Sequence, residues 1–250
     1  MNSRECVKHT FLHYEEITIL YHVKMLREDA LQLSRVFDLN LSQFEGGFMK
    51  REEKNKQMKR RIMDNAMAEF AKQGYGASSV NTICAAQNIS KGIIYHYFKT
   101  KDDLYLACVE ECFKLLTEHM KENISAGQNP VEKQLQDYFE IRMDFFQKHP
   151  VYQPIFCEAV ISPPVHLKAE IQMRKQVFDT LNVSILEEIL ELLPLRPDIK
   201  KEEVVEIFRE FQDFINAKYQ IAHISTQEFQ MREESCRRAL NILLYGVIDR

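Results

Sequence analysis

The sequence is poor in turn-forming residues, with 7 glycines and 7 prolines in 250 residues. Average proteins have about 7% glycine and about 5% proline. Because many short strands need many turns, this shortage disfavours a β-sandwich or a β-barrel. Apolar residues instead recur at helical spacing along most of the chain, and no alternating run is long enough to indicate a strand. The sequence therefore predicts an all-α fold.

Long apolar runs are also missing. None approaches the ~18–20 residues that a membrane-spanning helix needs, and no signal-peptide pattern of charge, apolar core and small-residue cleavage site opens the chain. The six cysteines are scattered through helical segments and do not form a disulfide framework. We expect reduced thiols, no membrane partner and a cytoplasmic location.

No catalytic motif is present. The sequence has no G-x-S-x-G, no P-loop, no dinucleotide glycine fingerprint and no H-E-x-x-H. Paired carboxylates such as Glu187-Glu188 and Glu202-Glu203 fall on amphipathic helices, where such pairs are typical of solvent-facing positions. We expect no enzymatic activity and no cofactor.

Charge is distributed unevenly along the chain. Residues 49–105 carry 11 basic and 6 acidic groups, a net charge of +5, whereas residues 106–250 carry 17 and 24, a net charge of −7. A basic segment beside a larger acidic one indicates a polyanion-binding module on a body with another task. A solvated charged helix accounts equally well for the lysines and arginines of residues 50–61.

The first 48 residues form a separate region. Their apolar residues have only weak helical spacing without clear caps, and Gly46-Gly47 interrupts the pattern just before Met49. We expect either that the protein starts at Met49 or that residues 1–48 are a loosely attached extension.

Local signals predict three short helices in the basic segment. The first is indicated by an i, i+4, i+8 apolar row that comprises Ile62, Ala66 and Phe70. Gly74 ends this helix, and Ser78 or Ser79 caps the second. Ser90 caps the third, after a tight turn at Gln87-Asn88.

A long fourth helix is predicted from Lys101 to about Ser125, because Thr100 and Asp103 have the spacing of a capping box. Further helices are predicted over about residues 131–148, 151–160, 165–193, 201–222 and 226–248.

The second and third short helices have the dimensions of a helix-turn-helix. In that motif the second helix enters the major groove of DNA, while helix starts and basic groups contact phosphates. The candidate DNA-binding residues are Ser79, Lys91, Gly92, Ile93, Tyr95, His96 and Lys101. Ser79, Lys91 and Lys101 carry groups that suit phosphate oxygens.

Three of these candidates lie on the predicted recognition helix with a different role. The hydroxyl of Tyr95 and the imidazole of His96 suit backbone oxygens or base edges. Gly92 has no side chain, so the duplex backbone can approach the helix closely at this position.

The run Ser78–Lys101, S-S-V-N-T-I-C-A-A-Q-N-I-S-K-G-I-I-Y-H-Y-F-K-T-K, resembles the helix-turn-helix of the tetracycline-repressor (TetR/AcrR) family. That family follows roughly T-[TS]-V-x-x-I-A-x-x-A-G-V-S-x-G-T-[LI]-Y-x-[HY]-F-x-[ST]-K. This sequence departs from the pattern at Cys84, Asn88 and Ile93, which replace Ala, Gly and Thr. Ile93 cannot hydrogen-bond a phosphate, but its side chain suits a thymine methyl group.

The resemblance implies an N-terminal three-helix DNA-binding domain, a linking fourth helix, and a C-terminal helical bundle for ligand binding and dimerisation. In this sequence the two parts correspond to residues 49–105 and 106–250. The implied function is a ligand-responsive transcriptional repressor that binds a pseudo-palindromic operator in double-stranded DNA. The implied homodimer forms through about residues 201–248, and the small-molecule effector and its binding residues are unknown.

Two other functions stay open at this point. An all-α protein-interaction module with a helix-turn-helix that does not bind DNA is favoured by the departure at Ile93. A metal-responsive regulator is favoured by Cys108, Cys112 and His119, whose spacing places three zinc or copper ligand types along one helix. Fewer than four convergent ligands and the frequent burial of cysteine disfavour this metal site.

An aromatic and methionine-rich middle supports either a ligand pocket or an ordinary helical core. Its members are Met143, Phe145, Phe146, Tyr152, Phe156, Met173 and Phe178.

Overall fold

The computed structural model describes residues 51–85, 89–124, 130–219 and 225–248. The helices are α1 (residues 51–77), α2 (Val80–Ala85), α3 (Lys91–Tyr97), α4 (Lys101–Asn123), α5 (Val131–Lys148), α6 (Tyr152–Ile161), α7 (Lys168–Glu191), α8 (Lys201–Lys218) and α9 (Thr226–Val247). A 3₁₀ turn over Val165–Leu167 precedes α7. Within the described residues the only β-type contact is an isolated bridge between Leu195 and Ile248. The prediction of an all-α fold is confirmed.

The chain divides into two compact units, residues 1–58 and 59–250. In the first unit the described residues 51–58 are helical and mostly exposed. The predictions for residues 1–48 and for a start at Met49 lie outside the described residues. The same holds for the predicted turn at Gln87-Asn88.

The predicted capping residues form hydrogen bonds at the starts of α3 and α4. At α3 the backbone N–H of Ile93 donates to Ser90 Oγ at 3.4 Å. At α4 the Asp103 N–H donates to Thr100 Oγ1 and the Thr100 N–H donates to Asp103 Oδ2, each at 3.0 Å. These bonds satisfy N–H groups that have no partner within the helix. The start of α4 is thus fixed directly after α3.

Each of the first three helices contributes buried apolar side chains. The predicted row of α1 is fully buried. Ile83 of α2, Ile94 of α3 and Phe98 are buried as well, and α2 contacts α3. The ammonium of Lys59 on α1 lies 5.8 Å from the centroid of the Phe98 ring. Gly74 has a φ of 72°, a left-handed conformation that glycine adopts without steric cost. The prediction that α1 ends at Gly74 is wrong, because the helix continues to residue 77.

The larger helical part is organised around α4, which packs mainly along α7 and also against α5 and α6. Aromatic rings fill its centre, with centroid distances of 5.1 Å between Phe146 and Phe156 and 5.9 Å between Phe156 and Phe178. Phe145 and Tyr152 are also buried, whereas Met173 is exposed. The aromatic residues of the middle are therefore core, in agreement with the packing interpretation.

No helix among the residues that the structure describes is both long enough and apolar enough to cross a membrane.

Candidate nucleic-acid interface

Helix α3 presents almost all of its surface to solvent. Of its seven residues only Ile94 is buried, which marks the side of the helix that packs on the protein. Lys91, Gly92 and His96 are exposed. Ile93 and Tyr95 are 37% and 48% exposed, which leaves two large apolar groups in water on a short helix. A helix of this kind has one anchored face and one free face of mixed chemistry, as insertion into a DNA groove requires.

Gly92 is not required by packing within the chain. A Cβ atom built at this position has no heavy atom within 4 Å. The surface above Gly92 is thus open, and the absence of a side chain leaves room for an external group to reach the helix backbone.

The start of α2 is a compact hydroxyl cluster. The Thr82 N–H donates to Ser79 Oγ at 3.2 Å, and the Ser79 N–H donates to Thr82 Oγ1 at the same distance. Ser79 is therefore the cap of α2, while Ser78 is buried and donates to the Gly74 carbonyl. Thr82 is exposed beside Ser79 and was not among the sequence candidates, although the S-x-x-T spacing of a cap is a signal for it.

Lys101 differs from Lys91 in its surroundings. Its ammonium donates to the backbone oxygens of Tyr75 at 2.8 Å and Ser78 at 3.2 Å, and lies 4.0 Å from the centroid of the Tyr75 ring. Cations near the last carbonyls of a helix stabilise its C-terminus. Lys101 thus fastens the start of α4 to the end of α1, whereas Lys91 extends from the exposed face of α3.

The structure does not bring the cysteine and histidine candidates together as a metal site. Cys108 and Cys112 are fully buried, and burial raises the pKa of both thiols, which disfavours the thiolate that metals bind. The ring of His119 instead packs against Phe145 at a centroid distance of 5.6 Å, with its Nε2 3.1 Å from Asp144. No group of three or more metal-ligating side chains occurs within the described ranges.

Several clefts open on the surface of the described part. One of about 540 Å³ lies between the end of α1 and helix α6. A second, of about 450 Å³, lies between α7 and α8, and a third, of about 280 Å³, lies between α4 and α7.

A stripe of large apolar side chains is exposed on the last two helices. On α8 it consists of Ile207, Phe211 and Phe214, which have the i, i+4, i+7 spacing of a single helix face. On α9 it consists of Met231, Ile242 and Tyr245. We call these six residues the C-terminal stripe. Several exposed large apolar side chains on neighbouring helices are typical of an interaction surface.

Comparison with known proteins gives a consistent result. Residues 62–108 match the family described as "Bacterial regulatory proteins, tetR family", and residues 129–247 match "Tetracyclin repressor-like, C-terminal domain". The biofilm operon icaADBC HTH-type negative transcriptional regulator IcaR of Staphylococcus epidermidis is 25% identical over 184 residues, covering 72% of this chain and 92% of that protein.

Two solved structures are similar in fold. The transcriptional regulator FadR from Bacillus subtilis in complex with stearoyl-CoA has a TM-score of 0.57 at 17% identity, and covers 75% of this chain and 98% of its own. A tetR family transcription regulator from Shewanella sp. PV-4 has a TM-score of 0.54 at 12% identity, with coverage of 77% and 99%.

Proposed function

Since this chain belongs to the tetR family of bacterial regulatory proteins, we propose that it is a ligand-responsive repressor that binds a pseudo-palindromic DNA operator as a homodimer. This family consists of transcriptional regulators and is not a class of enzymes. The division between the DNA-binding part and the larger helical part lies at about residue 105. We call residues 59–105 the head and residues 106–248 the body.

The exposed face of α3 is the single observation that carries this function. It combines a cation, an imidazole, a phenol and an aliphatic group on a helix narrow enough for the major groove. Lys91 suits phosphate, Tyr95 and His96 suit backbone oxygens or base edges, and Ile93 suits a thymine methyl. Gly92 permits close approach of the duplex.

Ser79 and Lys101 complete the proposed contact set with a second role in the fold. Ser79 caps α2, so its cluster with Thr82 presents hydroxyl groups at a helix start, where phosphates are favoured. Lys101 uses two of its three N–H groups on backbone carbonyls, which leaves one N–H for a phosphate.

The C-terminal stripe supports the homodimer. In a dimer with a two-fold axis beside α8 and α9, the stripe of one protomer packs against the same stripe of its partner. This contact removes the apolar side chains from water. Such a dimer presents two α3 helices to half-sites about one DNA turn apart, roughly 34–36 Å. The operator is therefore expected to be pseudo-palindromic.

Helix α4 can transmit the ligand response from the body to the head, because its first turn is hydrogen-bonded to the end of α1 and the rest of it lies in the body core. A ligand acts by favouring a head spacing that does not match the half-sites. A shift from 1:99 to 99:1 requires the ligand to discriminate between the two states by about 5.5 kcal/mol.

Specific binding to DNA from the chain's own promoter region tests the proposed function. We expect fluorescence anisotropy at physiological salt to give an affinity for this DNA at least about 10³-fold higher than for a scrambled duplex. A protein-interaction module that has the fold but does not bind DNA specifically would not distinguish the two duplexes. Equal affinities for the promoter DNA and the scrambled duplex would therefore refute the repressor function.

Replacing Lys91 by Ala should reduce the salt dependence of DNA binding. If its ammonium neutralises one phosphate, the slope of log K against log salt falls by about one unit, and all DNA sequences are weakened alike. Lys101→Ala should lower the slope equally and, in addition, destabilise the head. Lys114→Ala, on an exposed body lysine, is the matched control. An unchanged slope in anisotropy titrations removes the tested lysine from the contact set.

A further inference from the structure

The cleft between α4 and α7 has an apolar wall. Its volume is about 280 Å³, and Phe113, Val177 and Phe178 form this wall. The rings of Phe113 and Phe178 are in contact, with a centroid distance of 5.4 Å, and Val177 is 62% exposed. Sites for small molecules usually have volumes of about 300–1,000 Å³ and mostly apolar walls with a few polar groups. The cleft therefore has the size and the wall of a site for a small organic molecule.

The guanidinium of Arg174 on α7 lines the same cleft and leaves a buried donor unused. Its Nη1 donates to the backbone oxygen of Glu170 at 3.1 Å. Its Nε is buried and has no hydrogen-bond partner in the part of the chain that the structure describes. A guanidinium has five N–H groups and stays charged in proteins. Because buried donors are nearly always paired, this N–H indicates an acceptor from outside the chain.

The carboxylate of Glu110 on α4 interacts only weakly with Arg174. Its Oε2 lies 3.8 Å from Arg174 Nε, which is too far for a hydrogen bond. The Glu110 side chain is 66% exposed, so water solvates it and the ion pair contributes little. A carboxylate that approaches Arg174 more closely can form two parallel N–H···O bonds, the strong geometry for this pair of groups. An external carboxylate can therefore replace Glu110 beside Arg174.

The charges around the cleft favour an anion with a single negative charge. Among the described residues that line it, three are cationic and two are anionic, namely Lys114, Lys121 and Arg174 against Glu110 and Glu118. Lys114 and Glu118 lie 4.0 Å apart on α4 and offset each other. One excess positive charge remains, and a monoanion neutralises it.

We propose that the cleft between α4 and α7 binds a small organic monocarboxylate with an apolar body, and that this acid is the effector of the repressor. Its carboxylate takes the place of Glu110 at Arg174, and its apolar body packs against Phe113, Val177 and Phe178. The inference rests on the proposed ligand-responsive repression, and it names the chemical class of the ligand.

Isothermal titration calorimetry of the full-length protein without DNA tests the site. The probe is 1-naphthoate, and 1-naphthamide has the same shape without the charge. The variants are Arg174→Gln, which removes the cation, Arg174→Lys, which keeps the charge but not the fork of donors, and Glu110→Gln. The controls are Arg209→Gln, on an exposed residue that lines the cleft between α7 and α8, and Glu188→Gln, on an exposed residue of α7.

We expect 1-naphthoate to bind the wild type with a dissociation constant below about 1 mM, and 1-naphthamide to bind at least about tenfold more weakly. Arg174→Gln should weaken 1-naphthoate by about tenfold or more, and Arg174→Lys by less. Glu110→Gln should strengthen binding severalfold, because the competing carboxylate is gone. A purely structural role of Glu110 would not produce this gain. Both controls should bind like the wild type.

Two results of the calorimetry would overturn the site. One is a dissociation constant of 1-naphthoate above about 1 mM in the wild type. The other is equal affinity in the wild type and in Arg174→Gln, or an equal loss in Arg209→Gln, since either places the acid elsewhere on the protein.

Anisotropy with promoter DNA then tests whether the acid is the effector. Saturating 1-naphthoate should lower the operator affinity of the wild type by at least about fivefold, the lower end of the 5–150-fold range that is typical of coupling between sites. It should have no effect on Arg174→Gln. Binding of 1-naphthoate without a change in operator affinity would overturn its assignment as effector. Failure to prefer promoter DNA even without the acid would refute the proposed function, while the calorimetric result for the cleft stands by itself.

Discussion

Replacement of Glu233 by Gln should lower the free energy of unfolding by about 3–5 kcal/mol, the cost of leaving buried charges without their partner. Glu233 is 3% exposed and lies between two buried guanidinium groups. Its Oε2 accepts a hydrogen bond from Arg142 on α5, and its Oε1 accepts one from Arg232 on α9. Without the carboxylate, two cations remain in the interior with no anion between them.

The remaining contacts explain why the structure cannot easily relax around this change. Arg142 also donates to the Tyr138 hydroxyl at 3.1 Å, and that hydroxyl donates to Asn182 on α7 at 2.8 Å. Arg232 donates through Nε to Asn216 on α8 at 3.1 Å. The network therefore joins α5, α7, α8 and α9.

Urea denaturation of Glu233→Gln and Glu234→Gln measures this effect directly. Glu234 is the next residue, but it is exposed and pairs with Arg237 on the surface of α9. Such surface pairs contribute about 0–1 kcal/mol, so Glu234→Gln should be close to the wild type. Equal stability of the two variants would mean that water or a neighbouring group compensates the buried arginines.

Replacement of Phe214 by Glu should convert the dimer to a monomer and reduce operator affinity by about 10²–10⁴-fold. Phe214 is 66% exposed and is the most exposed stripe residue of α8, so the change costs little in the isolated chain. In the dimer it places two like charges in an apolar interface, which disfavours association. The loss of affinity follows because each head then binds its half-site alone, without the gain from linked binding.

Light scattering and anisotropy on the same samples check this result. Val177→Glu is the control, because Val177 is 62% exposed on α7, outside the stripe. We expect the Val177 variant to remain a dimer with normal operator affinity. A Phe214 variant that stays dimeric would place the interface elsewhere, while a monomer with unchanged operator affinity would contradict the two-headed binding mode.

The helices and their starts were largely predictable because their signals are local. A capping box needs only Thr100 and Asp103 three residues apart, and the apolar row of α1 needs only helical spacing. The resemblance in Ser78–Lys101 identified the helix-turn-helix for a similar reason, since its turn and caps lie within one short segment. The exposed pair Glu187-Glu188 also conforms to its predicted solvent-facing position.

Roles that depend on partners far along the chain were not predictable. Nothing in the sequence near Arg60 or Tyr75 indicated that Arg60 bonds Glu111 on α4 and that Tyr75 bonds Glu158 on α6. Lys101 was predicted only as a phosphate contact, yet two of its N–H groups are used on the end of α1. Glu233 and Glu234 are adjacent and chemically identical, but one is buried and the other exposed.

The sequence by itself determined that the chain is helical, where most of the helices start, and which short helix is the candidate for DNA recognition. These properties arise from hydrogen bonds and apolar spacing within a few residues. Only the tertiary structure decided which carboxylates form buried ion pairs, which aromatic rings form the core, and which apolar side chains stay exposed to water. Burial depends on packing between helices distant in sequence, and it is burial that changes the cost of a charge and the availability of a donor.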